Sequence, residues 1–202
     1  MKLYCSATSP FARKVLVLLR ESGQLGDVEK VLAAGTPVNA GTMPVAKNPL
    51  GKIPVLEPDE GPALFDSRVI CQFLDARVKG GFYPDPPQRW ATLTLEAMAD
   101  GMVDAAILMV YETRLRSESQ IMQGWVDGQW AKVARALDTL EDAWADRLDG
   151  PLDMGQIALG CALSYLDFRH NDRNWRKDHA RLSAWEAKFA TRESMKATAP
   201  VE

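Results

Sequence analysis

Apolar and polar positions follow two different rhythms along this chain, and the rhythm changes after Pro87. Before that point the apolar runs are short. Met1 to Cys5 carries Leu3 and Tyr4, which favour a strand. Ser6 to Ser9 is small and polar and suits a turn. Pro10 comes next, followed by Phe11, Val15, Leu18 and Leu19 at i, i+4, i+7 and i+8, one face of a helix that Gly23 and Gly26 stop. Val28 to Ala33 predicts a second strand, and residues 34–52, with several Gly, Pro and Asn, predict an irregular loop. Ile53-Pro54-Val55-Leu56 and Ala63-Leu64-Phe65 flank the turn sequence Pro58-Asp59-Glu60-Gly61 and predict an antiparallel hairpin. Asp66-Ser67 precedes Val69, Ile70, Phe73 and Leu74, again at helical spacing.

Lys79-Gly80-Gly81 and Pro84-Asp85-Pro86-Pro87 form a linker. Beyond it the strand signals vanish. Residues 88–116 predict one long helix and 118–148 another, with Val133, Leu137, Leu140 and Trp144 on one stripe. Gly150-Pro151 breaks the pattern, and two more helices are predicted from Asp153 to about His170 and from Arg181 to Thr191.

The net charge of -3 gives no sign of the basic face that nucleic-acid binding requires, so none is expected as a partner. Val15-Leu16-Val17-Leu18-Leu19 is too short for a membrane span of roughly 20 residues or for a signal-peptide core, so a soluble, unexported, cytoplasmic chain without membrane association is expected. Cys5, Cys71 and Cys161 are odd in number and far apart, which argues against a disulfide framework and a C-x-x-C redox pair. His170 and His179 are the only histidines; no metal-ligand spacing appears, no metal is expected, and a His-based triad is poorly supplied.

A βαβ-ββα unit, a proline-rich linker and an all-helical half together resemble the cytosolic glutathione transferase family along essentially the whole chain. The motifs that carry the likeness are Thr8-Ser9-Pro10-Phe11-Ala12-Arg13-Lys14, Asn48-Pro49-Leu50-Gly51-Lys52-Ile53-Pro54-Val55-Leu56 and Phe65-Asp66-Ser67. Ala99-Asp100-Gly101 and the stretch from Leu152 to Leu159 also look like family positions. The serine in the first motif resembles bacterial, serine-type members. The resemblance implies a thioredoxin-like α+β glutathione-binding domain over residues 1–78, a linker over 79–87 and an all-α domain over 88–202. It further implies glutathione as co-substrate, a hydrophobic electrophile as second substrate, a role in detoxification and a homodimer.

Local sequence alone reads Ser9-Pro10 as a helix start, a serine N-cap with proline at the first helical position. The resemblance adds donation of a hydrogen bond to the glutathione sulfur. One hydroxyl proton serves one acceptor at a time, so the two roles are expected to coexist only in part. A free thiol has a pKa of about 8.5, and lowering it by about two units takes about 2.7 kcal/mol. A hydrogen bond to the anion supplies roughly 1.5–3 kcal/mol and a helix N-terminus roughly 0.3–1, so no histidine base is needed. Arg13 reads as a solvated helix position, with longer-range support of the anion as the alternative.

For Ile53-Pro54 the resemblance implies a cis bond, with the Ile53 amide and carbonyl pairing to the cysteinyl main chain of glutathione like an added strand; an ordinary edge-strand start is the local alternative. Capping explains Asp66-Ser67 locally. By resemblance, Ser67 and a nearby amide hold the γ-glutamyl carboxylate at a helix N-terminus, and Asp66, where the family more often has glutamate, meets the γ-glutamyl ammonium. Lys52 is assigned to the glycine carboxylate or to solvent. Asp100 and Asp104 share a helix face, and by resemblance Asp100 reaches the partner subunit's γ-glutamyl ammonium. Tyr4, Ala7, Phe11, Met102, Ala106 and Val110 line the electrophile pocket or belong to the core. Leu152-Asp153-Met154-Gly155-Gln156-Ile157 reads as a capping box with a hydrophobic staple. The leading function is glutathione transferase. The alternatives are a non-catalytic binding or stress-response protein on the same scaffold, and a glutathione-dependent thiol reductase, whose relatives carry cysteine where Ser9 stands.

Overall fold

A computed structural model describes residues 1–201. The chain divides into two compact units, Met1–Arg89 with the segment from Glu193 onward, and Trp90–Arg192. The sequence pattern assigned that last segment to the helical half; in the structure it belongs with the first unit.

In the first unit, β1 (Lys2–Cys5) and β2 (Glu29–Leu32) run parallel, Leu3 opposite Lys30 and Cys5 opposite Leu32. Parallel neighbours need a crossover, and α1 (Pro10–Glu21) supplies it. β3 (Val55–Glu57) pairs antiparallel with the other side of β1, Leu3 opposite Leu56 and Tyr4 opposite Val55. Leu3, Cys5 and Leu56 share one sheet face by the two-residue repeat. They are buried together with Val15, Leu18 and Leu19 of α1 and with Ile70 and Leu74 of α2 (Ser67–Val78).

The predicted hairpin shrinks to a single bridged pair, Leu56 and Leu64, which exchange backbone hydrogen bonds of 2.9 and 2.7 Å. Hydrogen-bonded pairs in an antiparallel ladder recur every second residue. The next pairs on this register are Pro58 with Pro62 and Pro54 with Asp66. Three of those four residues have no N–H to give, so the ladder stops on both sides.

The second unit is helical: most of α3 (Gln88–Leu115), then α4 (Gln123–Thr139), α5 (Met154–Arg169) and α6 (Ala180–Phe189). Twelve of the sixteen α5 residues are buried, so this helix is covered on all sides. Gly155 lets it approach α3 closely, since a Cβ there would stand 2.9 Å from the Leu95 side chain. The expected helix over 118–148 is broken up. After Thr139 it widens into a π-turn over Leu140–Trp144 and then tightens into a 3₁₀ turn over Ala145–Asp149. One ladder acceptor is shared here, since the Glu141 carbonyl accepts from the Arg181 side chain, and the Glu141 carboxylate accepts from the Arg181 and Leu182 amides at 2.9 and 2.8 Å.

The capping box at α5 forms as its sequence predicts, with Gln156 N donating to Asp153 Oδ1 and Asp153 N donating to Gln156 Oε1, both at 3.0 Å. The structure adds a further layer. Asp153 Oδ2 accepts from Thr92 Oγ1 on α3 and from Arg147 Nη2, each at 2.6 Å. One carboxylate therefore ties three elements together. We expect Asp153→Ala to lower the unfolding free energy in urea by about 2–4 kcal/mol, because it removes a cap and strands a partly buried guanidinium; a loss of only about 0.5 kcal/mol would reduce this residue to an ordinary cap.

His179 sits between two obligate acceptors, Nδ1 at 2.6 Å from the Trp175 carbonyl and Nε2 at 3.0 Å from Asp138 Oδ1. A neutral ring satisfies only one of them. Burial opposes the charge, but the bonds to Trp175 and Asp138, with Glu141 nearby, outweigh it and raise the pKa. A raised folded-state value means that the stabilisation is complete below the unfolded value of about 6.5 and is lost as pH rises through the folded one. The stability gap between the parent and His179→Gln should therefore be about 1 kcal/mol at about pH 5.5 and close by about pH 9; a gap that widens with pH contradicts this.

Candidate active site

Strand register collects the candidate residues of the first unit at one end of the sheet. β1 ends at Cys5, and β3 begins at Val55 opposite Tyr4, so the Ser6–Ser9 turn and Pro54 lie at the same end. Leu64 runs antiparallel to Leu56, which brings Asp66 level with Pro54. Ser9, Ile53-Pro54 and Asp66-Ser67 thus converge, although they are scattered in sequence.

Ser9 is the N-cap of α1, and its Oγ accepts from the Ala12 amide at 3.2 Å. The expectation that capping and thiol binding compete is corrected here. The cap uses an oxygen lone pair, whereas a bond to sulfur would use the proton, so one hydroxyl can do both. The helix N-terminus also favours a negative charge beside it.

The Ile53-Pro54 bond is cis, as are Phe65-Asp66 and Pro86-Pro87. The turn leading to Ile53 is fastened by Asn48, which is 2% exposed. Its Oδ1 accepts from Leu50 N at 3.0 Å, and its Nδ2 donates to the Lys52 carbonyl at 2.9 Å. Lys52 itself is exposed. Asp66 caps α2, with Oδ1 accepting from Arg68 N at 2.9 Å and from Ser67 Oγ at 3.4 Å. Asp66 is exposed and Ser67 is buried.

Tyr4 takes part in a cluster that the sequence gives no hint of. Its hydroxyl donates to Glu57 Oε2 at 2.6 Å, and Lys47 donates to Glu57 Oε1. The hydrogen bond to Glu57 and then burial raise the Tyr4 pKa, while Lys47 and Tyr4 lower that of Glu57. The Tyr4 proton is thus committed to a carboxylate. Cys5 is 3% exposed, and burial pushes its thiol up, the opposite of what a reactive cysteine needs. Ala7 is exposed and Phe11 half-buried.

The remaining candidates lie in the second unit. Asp100 is buried and Asp104 exposed. Met102 and Ala106 have almost no exposed surface, so their side chains act as packing here, and the Ala106 carbonyl lies 3.0 Å from His170 Nε2. Val110 is half-buried.

Comparison with known proteins fits this geometry. The family model for the glutathione S-transferase N-terminal domain matches residues 8–77, and that for the C-terminal domain matches residues 123–188. The uncharacterized GST-like protein YibF of Escherichia coli K12 is 35% identical, over 99% of this chain and 98% of its own. The chain belongs to the glutathione S-transferase family. A glutathione transferase family member from Pseudomonas fluorescens Pf-5, solved with bound glutathione, superimposes with a TM-score of 0.97 at 44% identity, covering 100% of this chain and 99% of that one. The glutathione S-transferase of Methylobacillus flagellatus KT, also solved with glutathione, gives 0.88 at 36% identity over 99% of both chains. The first unit of this family member is accordingly its thioredoxin-like part, with a helical C-terminal part beyond it. Among the described residues, no helix is long and apolar enough to cross a membrane.

Arg13 corrects another expectation for this family member. It is not solvated but 6% exposed, and its Nη2 donates to the Met195 carbonyl at 3.0 Å. Its Nε also approaches Thr198 Oγ1 at 3.4 Å. Met195 lies in the short helix α7 (Glu193–Lys196), which is further fastened to α1 by a bond from Ser194 to Glu21. Arg13→Met keeps much of the apolar stem and removes the donors. It should cost about 2 kcal/mol in urea unfolding and make the chain near Arg192 more sensitive to limited proteolysis; unchanged stability and cleavage would return Arg13 to the solvated reading.

Proposed function

We propose that this protein is a glutathione transferase in which Ser9 holds the glutathione sulfur as a thiolate for attack on an apolar electrophile. The observation that carries the reading is the Ser9 cap: its oxygen is engaged by the Ala12 amide, so the hydroxyl is oriented while its proton is left for another acceptor. Two relatives solved with bound glutathione, similar to this chain over 99% or more of its length, support the choice of ligand. In this reading the Ile53 main chain pairs with the cysteinyl segment, Pro54 closes that edge, Ser67 and the first amides of α2 take the γ-glutamyl carboxylate, and Asp66 takes its ammonium. Lys52 faces the glycine carboxylate. Asp100 serves the partner's site in a cytoplasmic homodimer. Tyr4, Ala7 and Phe11 offer surface to the electrophile. The thiolate sulfur then bonds to the electrophilic carbon with its own electron pair, and a leaving group departs with its pair, or a proton is taken up where a double bond is attacked. The reductase alternative loses support, because a thiol reductase needs an accessible, acidified cysteine and Cys5 is neither.

The test is Ser9→Ala with glutathione and a chloronitrobenzene electrophile. The pKa of bound glutathione, read from thiolate absorbance, should rise by about 1–2 units, and kcat/KM should fall about 10–100-fold. Unchanged values of both would remove Ser9 from the chemistry. Tight binding with an ordinary thiol pKa in the parent would favour the non-catalytic alternative.

A further inference from the structure

Asn48 engages every polar group it possesses. Its backbone N–H donates to Pro44 O and its carbonyl accepts from Gly51 N, both at 2.9 Å. Its side-chain oxygen takes the Leu50 amide, and its side-chain nitrogen donates to the Lys52 carbonyl. The amide orientation follows from the partners, since an N–H requires the oxygen and a C=O requires the nitrogen. The acceptor half of this arrangement is a local turn device of the kind asparagine often makes, and it explains how the loop closes. It does not account for the donor half, which reaches four residues ahead.

The Lys52 carbonyl and the Ile53 N–H belong to the same peptide group. That group is planar, and in the trans form its C=O and N–H point in opposite directions. Fixing the carbonyl from one side therefore aims the N–H to the other. Resting on the functional reading above, we infer that Asn48 is a positioning residue for glutathione. Its Nδ2 holds the Lys52–Ile53 peptide plane so that the Ile53 amide is already oriented toward the cysteinyl carbonyl before the ligand arrives. The Asn48 side chain touches no reacting atom. Asn48 itself is 2% exposed, so its side-chain amide is held among protein groups rather than in solvent.

The Asn48→Asp variant isolates the donor half. It keeps an oxygen for Leu50 N but sets a carboxylate against the Lys52 carbonyl, and protonation of that carboxylate restores a donor. Glutathione and S-methylglutathione are titrated into the parent and the variant by calorimetry, at about pH 8 and at about pH 5. At the higher pH the variant should bind both ligands about tenfold more weakly than the parent. At the lower pH that ratio should shrink to about twofold or less. The pKa of the bound glutathione thiol should be the same in both proteins, because Ser9 is untouched. General loosening of the fold would instead shift the thiol pKa along with affinity. If the parent binds glutathione and the variant binds it equally well at both pH values, the positioning role is overturned while the functional reading stands. A parent that binds no glutathione overturns the functional reading, and this inference falls with it. Should Asn48→Asp fail to fold, the parent decides alone. In an isotopically labelled sample the Asn48 side-chain NH₂ should be protected from exchange and the Ile53 amide should shift on addition of S-methylglutathione; an Ile53 amide that does not respond overturns the proposal.

Discussion

The pairing of β1 with β3 is the constraint on which the rest of the first unit depends. Leu3 opposite Leu56 joins segments far apart in sequence and buries both side chains against α1 and α2. A slip of one residue would turn Leu3 and Cys5 out of the core, and it would move Pro54 along the sheet by about 3.3 Å relative to the Ser6–Ser9 turn. Burial of the core thus fixes the alignment of the candidate site as well. The prolines at 54, 58 and 62 then end the neighbouring ladder after one pair, which frees the chain to turn from Leu64 into the cap of α2.

Around that sheet end, polar groups are used economically. The oxygen of Ser9 secures α1 while its proton remains usable, Asp66 serves as a cap with one oxygen, and Asn48 spends its two side-chain atoms on two different backbone groups. Tyr4 is the contrast: its proton is bound to Glu57, and Lys47 sets the charge of that carboxylate. Which hydroxyl is available for chemistry is decided by these neighbours rather than by residue type.

Much of this was legible in the chain wherever the determinant is local. The Ser9-Pro10 helix start, the periodicity of α1 and the Asp153–Gln156 box each sit within a few residues, and each forms as read. Family likeness, not spacing, pointed to the cis bond at Pro54. Other features depend on partners distant in sequence. Glu141 holds amides of α6 where its own helix widens, and nothing near residue 141 signals that. Arg13 has the composition of a surface residue, yet it is buried and donates to the Met195 carbonyl, a partner distant in sequence. The shortened hairpin was written in its prolines, but their effect appears only once the register sets Pro58 against Pro62. The donor bond of Asn48 was hidden in the same way, inside a motif that reads as a plain turn.

The return of α7 to α1 has a consequence for biosynthesis. A ribosome delivers the chain from Met1 onward, so the whole thioredoxin-like sheet and every helix of the second unit emerge before the Met195 carbonyl does. Until then α1 lacks the bond from Arg13 Nη2 to the Met195 carbonyl. The earliest-made helix is thus among the last to be completed, and synthesis of the segment around Met195, rather than of the sheet itself, sets when the amino-terminal unit can lock.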